Sequence, residues 1–356
     1  MMLAIISSWL LSALCCLAAE DQKLLFISKR QILGIGIDFS PSYATAAASF
    51  ANGSNIPLAM LEGGDDWRSL MADVSWDKLN HGGPPIVPGS AISTLQHTLE
   101  KLMSAGQERL GHPITKAAVS VPASNTISRW GRKPMTDAIT AAFSAAGVEF
   151  LEILSFPADE SLLYPANVLL AGHGLGLCQP HTITEHECIA DNTPKLDMLP
   201  AEIYYLVGYH PDALELILTH TTTLAYGVNP VSWPNYNLGA KARGQNPEEE
   251  FYWEEVRQLL SSPFIGAVPY SVKVTRVILY GTHGEDEKLR STVRDVLATF
   301  LDPEDPLPVW IEDEVDSTYA GALGAAEFAK RQPYWSAASS EVVSQNTRIG
   351  QPRIDL

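Results

Sequence analysis

Ile32-Leu-Gly-Ile-Gly-Ile-Asp38 is the stretch on which the fold turns. Its unbroken apolar and glycine run reads as a buried strand, and it ends in an acid. A short polar turn follows, and Tyr43 to Phe50 reads as a second strand. Ala51-Asn-Gly-Ser54 carries a hairpin signal, because Asn and Gly tolerate the backbone angles of a tight turn, and Ile56 to Leu61 supplies a third strand. The chain body thus opens as a three-strand meander with Asp38 at the end of its first strand.

Outward from the meander, residues 62–90 hold Gly63-Gly64, Gly82-Gly-Pro-Pro85 and Pro88 and read as irregular chain. Ser90 to Leu110 has helical spacing, with Leu95, Leu99 and Leu102 on one face. A strand over Lys116 to Val121 stops at Pro122. A helix over Lys133 to Ala146 closes at Gly147, Phe150 to Phe156 is a strand, and a helix from Pro157 to Leu170 ends at Gly172. Residues 172–200 are rich in Gly, His, Pro and Thr, as a linker is.

The second half repeats the theme. Ile203 to Tyr209 and Leu214 to Thr219 are strands around a His210-Pro-Asp212 turn, with a third expected over Thr222 to Val228. Asn246 to Ser261 is an amphipathic helix. Val274 to Tyr280 is a strand leading into Gly281-Thr-His-Gly284 and a helix from Glu285 to Phe300, and a last helix over Ser317 to Arg331 is rich in Ala and Gly. The expectation is α/β, with two duplicated lobes around a cleft. Lobe I spans 31–171, a linker 172–200, lobe II 201–331, and a polar tail 332–356.

Composition sets outer bounds. Of 356 residues 46% are hydrophobic and 18% charged, enough to bury one large core or two medium ones. A formal charge of −17, with no concentration of Lys and Arg, sets nucleic acid aside as a partner. Residues 1–24 form a hydrophobic leader, apolar from Leu3 to Ala19. Its length suits a signal peptide, whereas no Lys or Arg precedes the run and the first basic residues, Lys23, Lys29 and Arg30, follow it, as in an anchor. Localisation therefore stays open between secretory, membrane-anchored and cytoplasmic.

The segments, in this order, resemble the actin-like ATPase superfamily and its seventy-kilodalton heat-shock branch. Gly34-Ile-Gly-Ile-Asp38-Phe-Ser-Pro-Ser-Tyr43 resembles the first phosphate loop. Ala118-Val-Ser-Val-Pro-Ala-Ser-Asn125 is similar to the family's strand ending in Val-Pro-Ala, followed here by Asp137-Ala138 and Ala146-Gly147. Leu154 to Glu160 sits where the family has Asn-Glu-Pro-Thr-Ala-Ala. Val277-Ile-Leu-Tyr-Gly-Thr-His-Gly284 resembles the adenosine loop, and Tyr319-Ala-Gly-Ala-Leu-Gly-Ala-Ala326 the closing helix. The likeness implies a two-lobed, ribonuclease-H-like duplicated fold that takes ATP or ADP with magnesium. It assigns Asp38, Ser40, Ser42 and Tyr43 to the phosphate side and Gly281, Thr282 and Gly284 to the adenosine side. With 25 residues after Arg331, no peptide-clamp domain is expected, and a protein partner remains open.

Departures from the family pattern fall on its phosphate-handling groups. Ser40 stands for a glycine, and Pro41 for a threonine, removing a backbone donor. Phe156 and Gly208 stand where carboxylates are expected, and Gly208-Tyr-His-Pro-Asp-Ala213 lacks the glycine triplet that cradles phosphate. Losing a preorganised group costs about 2.7 to 4 kcal/mol each in a transition state. The expectation is a degenerate domain with slow or no hydrolysis. Two rivals stand beside it: a working ATPase using Asp212 or Glu215 as substitute acids, and an enzyme of another chemistry in the same cleft, with His210 or His283 as base. Plainer readings also apply, since Asp38 can simply end a strand and Gly281 and Gly284 suit any tight strand-to-helix turn. Cys178-Gln-Pro-His181 and His186-Glu-Cys188 could bind zinc, form a disulfide or do neither; their tight spacing weighs against zinc.

Overall fold

The computed structural model describes residues 32–74, 89–122, 129–151, 153, 164–184, 187, 202–221, 231–245, 248–265, 273–302 and 304–349. The expectations for the leader, Phe156, His186, Cys188 and the strand over Thr222 to Val228 lie outside those residues.

The opening run forms β1 (Ile32–Phe39), antiparallel to β2 (Tyr43–Phe50), which pairs with β3 (Asn55–Glu62). After α1 (Asp65–Val74) and α2 (Gly89–Leu110), β4 (Lys116–Ser120) lies parallel to β1. Then come α3 (Arg129–Ala145), β5 (Glu149–Phe150) parallel to β4, and α4 (Pro165–Gly172). The sheet order is β3-β2-β1-β4-β5. Leu95, Leu99 and Leu102 of α2 are buried on the face that their spacing predicts.

The second sheet repeats this plan. β6 (Glu202–Tyr209), β7 (Leu214–Thr221) and β8 (Val231–Asn235) form an antiparallel meander. α5 (Ala240–Gln245) and α6 (Glu249–Ser261) precede β9 (Arg276–Tyr280), which is parallel to β6. α7 (Glu287–Phe300), β10 (Val309–Trp310) parallel to β9, and α8 (Ala320–Ile349) complete the described residues. The order β8-β7-β6-β9-β10 matches the first sheet strand for strand and direction for direction. The chain is therefore a mixed α/β protein with two five-stranded mixed sheets flanked by helices.

Two readings are corrected, and two strands lie where none was expected. Residues 62–90, expected to be irregular, include α1, whose Asp65 and Asp66 open the first turn and whose Trp67 and Met71 bury one helical face. The third strand of the second sheet is β8, whose Pro234 masks it in a propensity reading. As an edge strand β8 tolerates a residue with no N–H to donate. β10, with two residues, is too short to show periodicity. α8 does not end at Arg331 but continues through Pro333 to Ile349.

α8 is the element that brings the halves together in packing. A Cβ at Gly34 would lie 2.1 Å from the Ala326 carbonyl oxygen, and one at Gly36 would lie 2.1 Å from the Ala326 nitrogen. On its other side, a Cβ at Gly324 would lie 1.7 Å from the Val168 carbonyl of α4. Backbone meets backbone at both surfaces, so the paired glycines of the opening stretch serve helix packing. Where α8 reaches β2, Glu327 accepts from Ser49 Oγ at 2.5 Å and from Lys330 Nζ at 2.7 Å, and it pairs with Arg331. Among the described residues no helix is long and apolar enough to cross a membrane.

Candidate functional site at the junction of two hairpins

β1 and β2 are joined through Ser40-Pro41-Ser42-Tyr43, closed by the Ser40 N–H donating to the Tyr43 carbonyl at 2.9 Å. β6 and β7 are joined through His210-Pro211-Asp212-Ala213, closed by the His210 N–H donating to the Ala213 carbonyl at 2.9 Å. Both place Pro at the second turn position, where its fixed φ is already correct. The two hairpins meet: the Asp212 N–H donates to Ser42 Oγ at 3.0 Å, and the rings of Tyr43 and His210 lie 5.6 Å apart.

Asp38 stands two residues before the first turn, flanked across the sheet by Thr45 and Ser120. Ser40 Oγ donates to its Oδ2 at 2.7 Å. The start of α8 closes over it, since a Cβ on Gly321 would fall 2.5 Å from Asp38 Cγ. Two residues before the second turn stands Gly208, flanked by Glu215 and Tyr280. The Tyr280 ring lies across Gly208, where a Cβ would come 2.4 Å from it. Tyr280 Oη donates to Glu215 Oε2 at 3.2 Å, and His210 Nε2 meets the same oxygen at 3.1 Å. A carboxylate, that of Glu215, thus reaches the end of β6 from the neighbouring strand.

Asp38 is the acid that the enclosed junction perturbs. Burial pushes the Asp38 carboxyl up to about 6, and the Glu215 charge adds to the rise. The Ser40 and Ser120 hydroxyls and His210 offset part of it. Burial first, then the charges of Glu215 for Tyr280 and Asp38 for Tyr43, holds both phenols far above their ordinary value, so they remain neutral donors. Thr45 Oγ1, His210 Nδ1 and Thr282 Oγ1 are buried with no hydrogen-bond partner among the described residues.

The anticipated site residues are therefore distributed as follows. Asp38, Ser40, Ser42 and Tyr43 share the first hairpin, and all three hydroxyl-bearing residues are buried. Gly281 and Thr282 reach the same junction from β9. Gly281 has φ +90 and faces the His210 ring, and the Thr282 backbone meets the Tyr43 phenol. The Gly281 N–H is bound to the Ser317 carbonyl at 2.9 Å. Gly284 packs on the Tyr280 backbone instead, as a turn residue. Asp38 lies on the first sheet and Gly281 follows β9 of the second; Gly281 packs on the His210 ring, whereas Asp38 packs under Gly321.

Compared with known proteins, the chain matches no family model, and a comparison with curated sequences returns no match.

Residue reasoning alone missed Ser120 and Tyr280 and gave Glu215 no definite place; strand register is the signal that locates all three. Of the two histidines weighed as bases, His210 is wholly buried by its neighbours and His283 is exposed, its ring against Tyr209 at 5.7 Å. No group of three or more His, Cys, Asp or Glu gathers to hold a metal among the described residues. Cys178 is held in a disulfide, so its sulfur is not a thiolate ligand. Beside the junction lies an open cavity of about 420 Å³, with Arg68 on one wall and Pro211, Asp212 and Lys241 on the other.

Proposed function

We propose that this chain is a degenerate actin-like domain of the heat-shock type that does not hydrolyse ATP at a useful rate and serves as a binding or regulatory module. Two sheets of identical order and direction support a duplicated, two-lobed origin. The observation that carries the functional half is the filling of the junction by Tyr43, His210 and Tyr280, each buried, where the two hairpins face each other.

The groups present do not fit a magnesium triphosphate in this arrangement. Pro41 and Pro211 have no N–H, Gly208 carries no acid, and Tyr280 covers it. Ser40 Oγ is bound to Asp38 and Ser42 Oγ to Asp212. A phosphate cradle needs free backbone donors and room for its oxygens; here the N–H groups of Ser40, His210, Asp212 and Gly281 are bound, and the rings take the room. Adenine nucleotide binding is accordingly weak or lost, and no hydrolytic step is assigned.

One observation favours the rival ATPase reading: Glu215 does restore a second carboxylate next to Asp38. Phosphate release from ATP with magnesium, together with melting of the chain with ATP and ADP, separates the two. The expected result is no release above buffer and little or no rise in melting temperature, since ligand binding to the native state alone must raise it. Turnover that Asp38→Ala and Glu215→Gln each abolish would replace this reading with the rival.

A further inference from the structure

The open cavity next to the junction has no role in that reading. Its walls come from both halves: Arg68 from α1, and Asp212, Tyr236, Asn237, Lys241 and Gln245 from the second sheet and its connections. Asp212 sits between two cations, with Lys241 Nζ 3.1 Å from its Oδ1 and Arg68 3.7 Å from its Oδ2. Arg68 also pairs with Asp65. Within the lining itself, however, two cations face one carboxylate, on a chain whose net charge is −17.

We propose that this cavity binds a small phosphate-bearing molecule, whose phosphate takes over the Arg68 and Lys241 contacts that Asp212 now holds. Arg68 is a third exposed and Lys241 about half exposed, and ion pairs at such exposure hold weakly, so an incoming anion competes on easy terms. A phosphate monoester carries up to two charges and three acceptor oxygens against the single charge of one carboxylate. The amide side chains of Asn237 and Gln245 add donors to the lining. At about 420 Å³ the cavity has room for a sugar-sized group beyond the phosphate. Gly239 fixes the floor: any Cβ there would lie 2.3 Å from the Pro211 carbonyl. The proposal does not depend on the junction's history, and its test involves neither ATP nor hydrolysis.

Calorimetric titration of the full chain at low salt and roughly pH 8, where phosphate is a dianion, uses inorganic phosphate and ribose 5-phosphate as probes. Both are expected to bind. Equal affinity marks a free-phosphate site, and tighter ribose 5-phosphate marks a site for a phosphorylated organic molecule. Asp212→Asn, which removes the resident charge and keeps the backbone N–H to Ser42, should tighten binding about tenfold, and Arg68→Ala should weaken it about tenfold. No heat from either probe, or an Asp212→Asn chain that binds no tighter than the unaltered one, would overturn the site. Lys241→Ala, at a more exposed position, checks the Arg68 result against any loss of folding.

Discussion

The two strand ends at the junction share a backbone plan and differ in what encloses them. On β1 the acid is on the strand itself, and enclosure comes from the α8 backbone, which presses on Gly34 and Gly36 and lies over Asp38 at its own Gly321. On β6 the strand position is Gly208, and enclosure comes from side chains, the Tyr280 ring and the His210 to Glu215 pair. A backbone contact cannot yield without moving a whole element, whereas a ring can turn about its χ angles. The same strand order therefore yields one rigid end and one end that can be repacked.

Adding one methyl to each end breaks or sharpens that contrast. Gly36→Ala puts a Cβ 2.1 Å from the Ala326 nitrogen and 2.2 Å from the Ala322 carbonyl, so it should cost about 3 kcal/mol or more in urea unfolding. A cost below about 1 kcal/mol would show that α8 can shift, and the contrast would fail.

Charge at the β1 end comes next in size. The folded Asp38 titrates near 6 against an ordinary 3.8, so the folded state binds its proton more tightly than the unfolded one. Stability from this group is complete below pH 3.8 and is lost as pH rises through about 6. At about 1.4 kcal/mol per unit, that is a loss of about 3 kcal/mol at most. Asp38→Asn should remove this decline and be the more stable chain above pH 6. Parallel stability curves for the two chains between acid and neutral pH would refute the assignment.

Gly208→Ala should have the smallest effect, about 1 to 2 kcal/mol, because the new methyl meets the Tyr280 ring and not a main chain. If it equals or exceeds Gly36→Ala in the same denaturant series, the two ends are equally rigid and the comparison is void.

Much of the fold was legible because local patterns report it. The opening apolar run, the Asn52-Gly53 turn and the leucine spacing of α2 each depend on neighbours a few residues apart. Where the local signal was weak, the reading failed: α1 is short, Pro234 disguises an edge strand, and β10 has two residues. The site was less legible for a different reason. Asp38 was visible as a strand-ending acid, but Glu215 and Tyr280 become its counterparts only through the pairing of β6 with β7 and β9.

By itself the sequence determined the alternation of strands and helices, the two hairpins with proline at the turn, and the absence of an acid at Gly208. These follow from side-chain periodicity and backbone stereochemistry, which act within a few residues. Only the tertiary structure decided that Ser42 would meet Asp212 across 170 positions, that rings would fill the space between the hairpins, and that glycines would take a helix backbone. Those outcomes rest on volume and charge matched between distant segments, and such matching exists only once the chain has closed on itself.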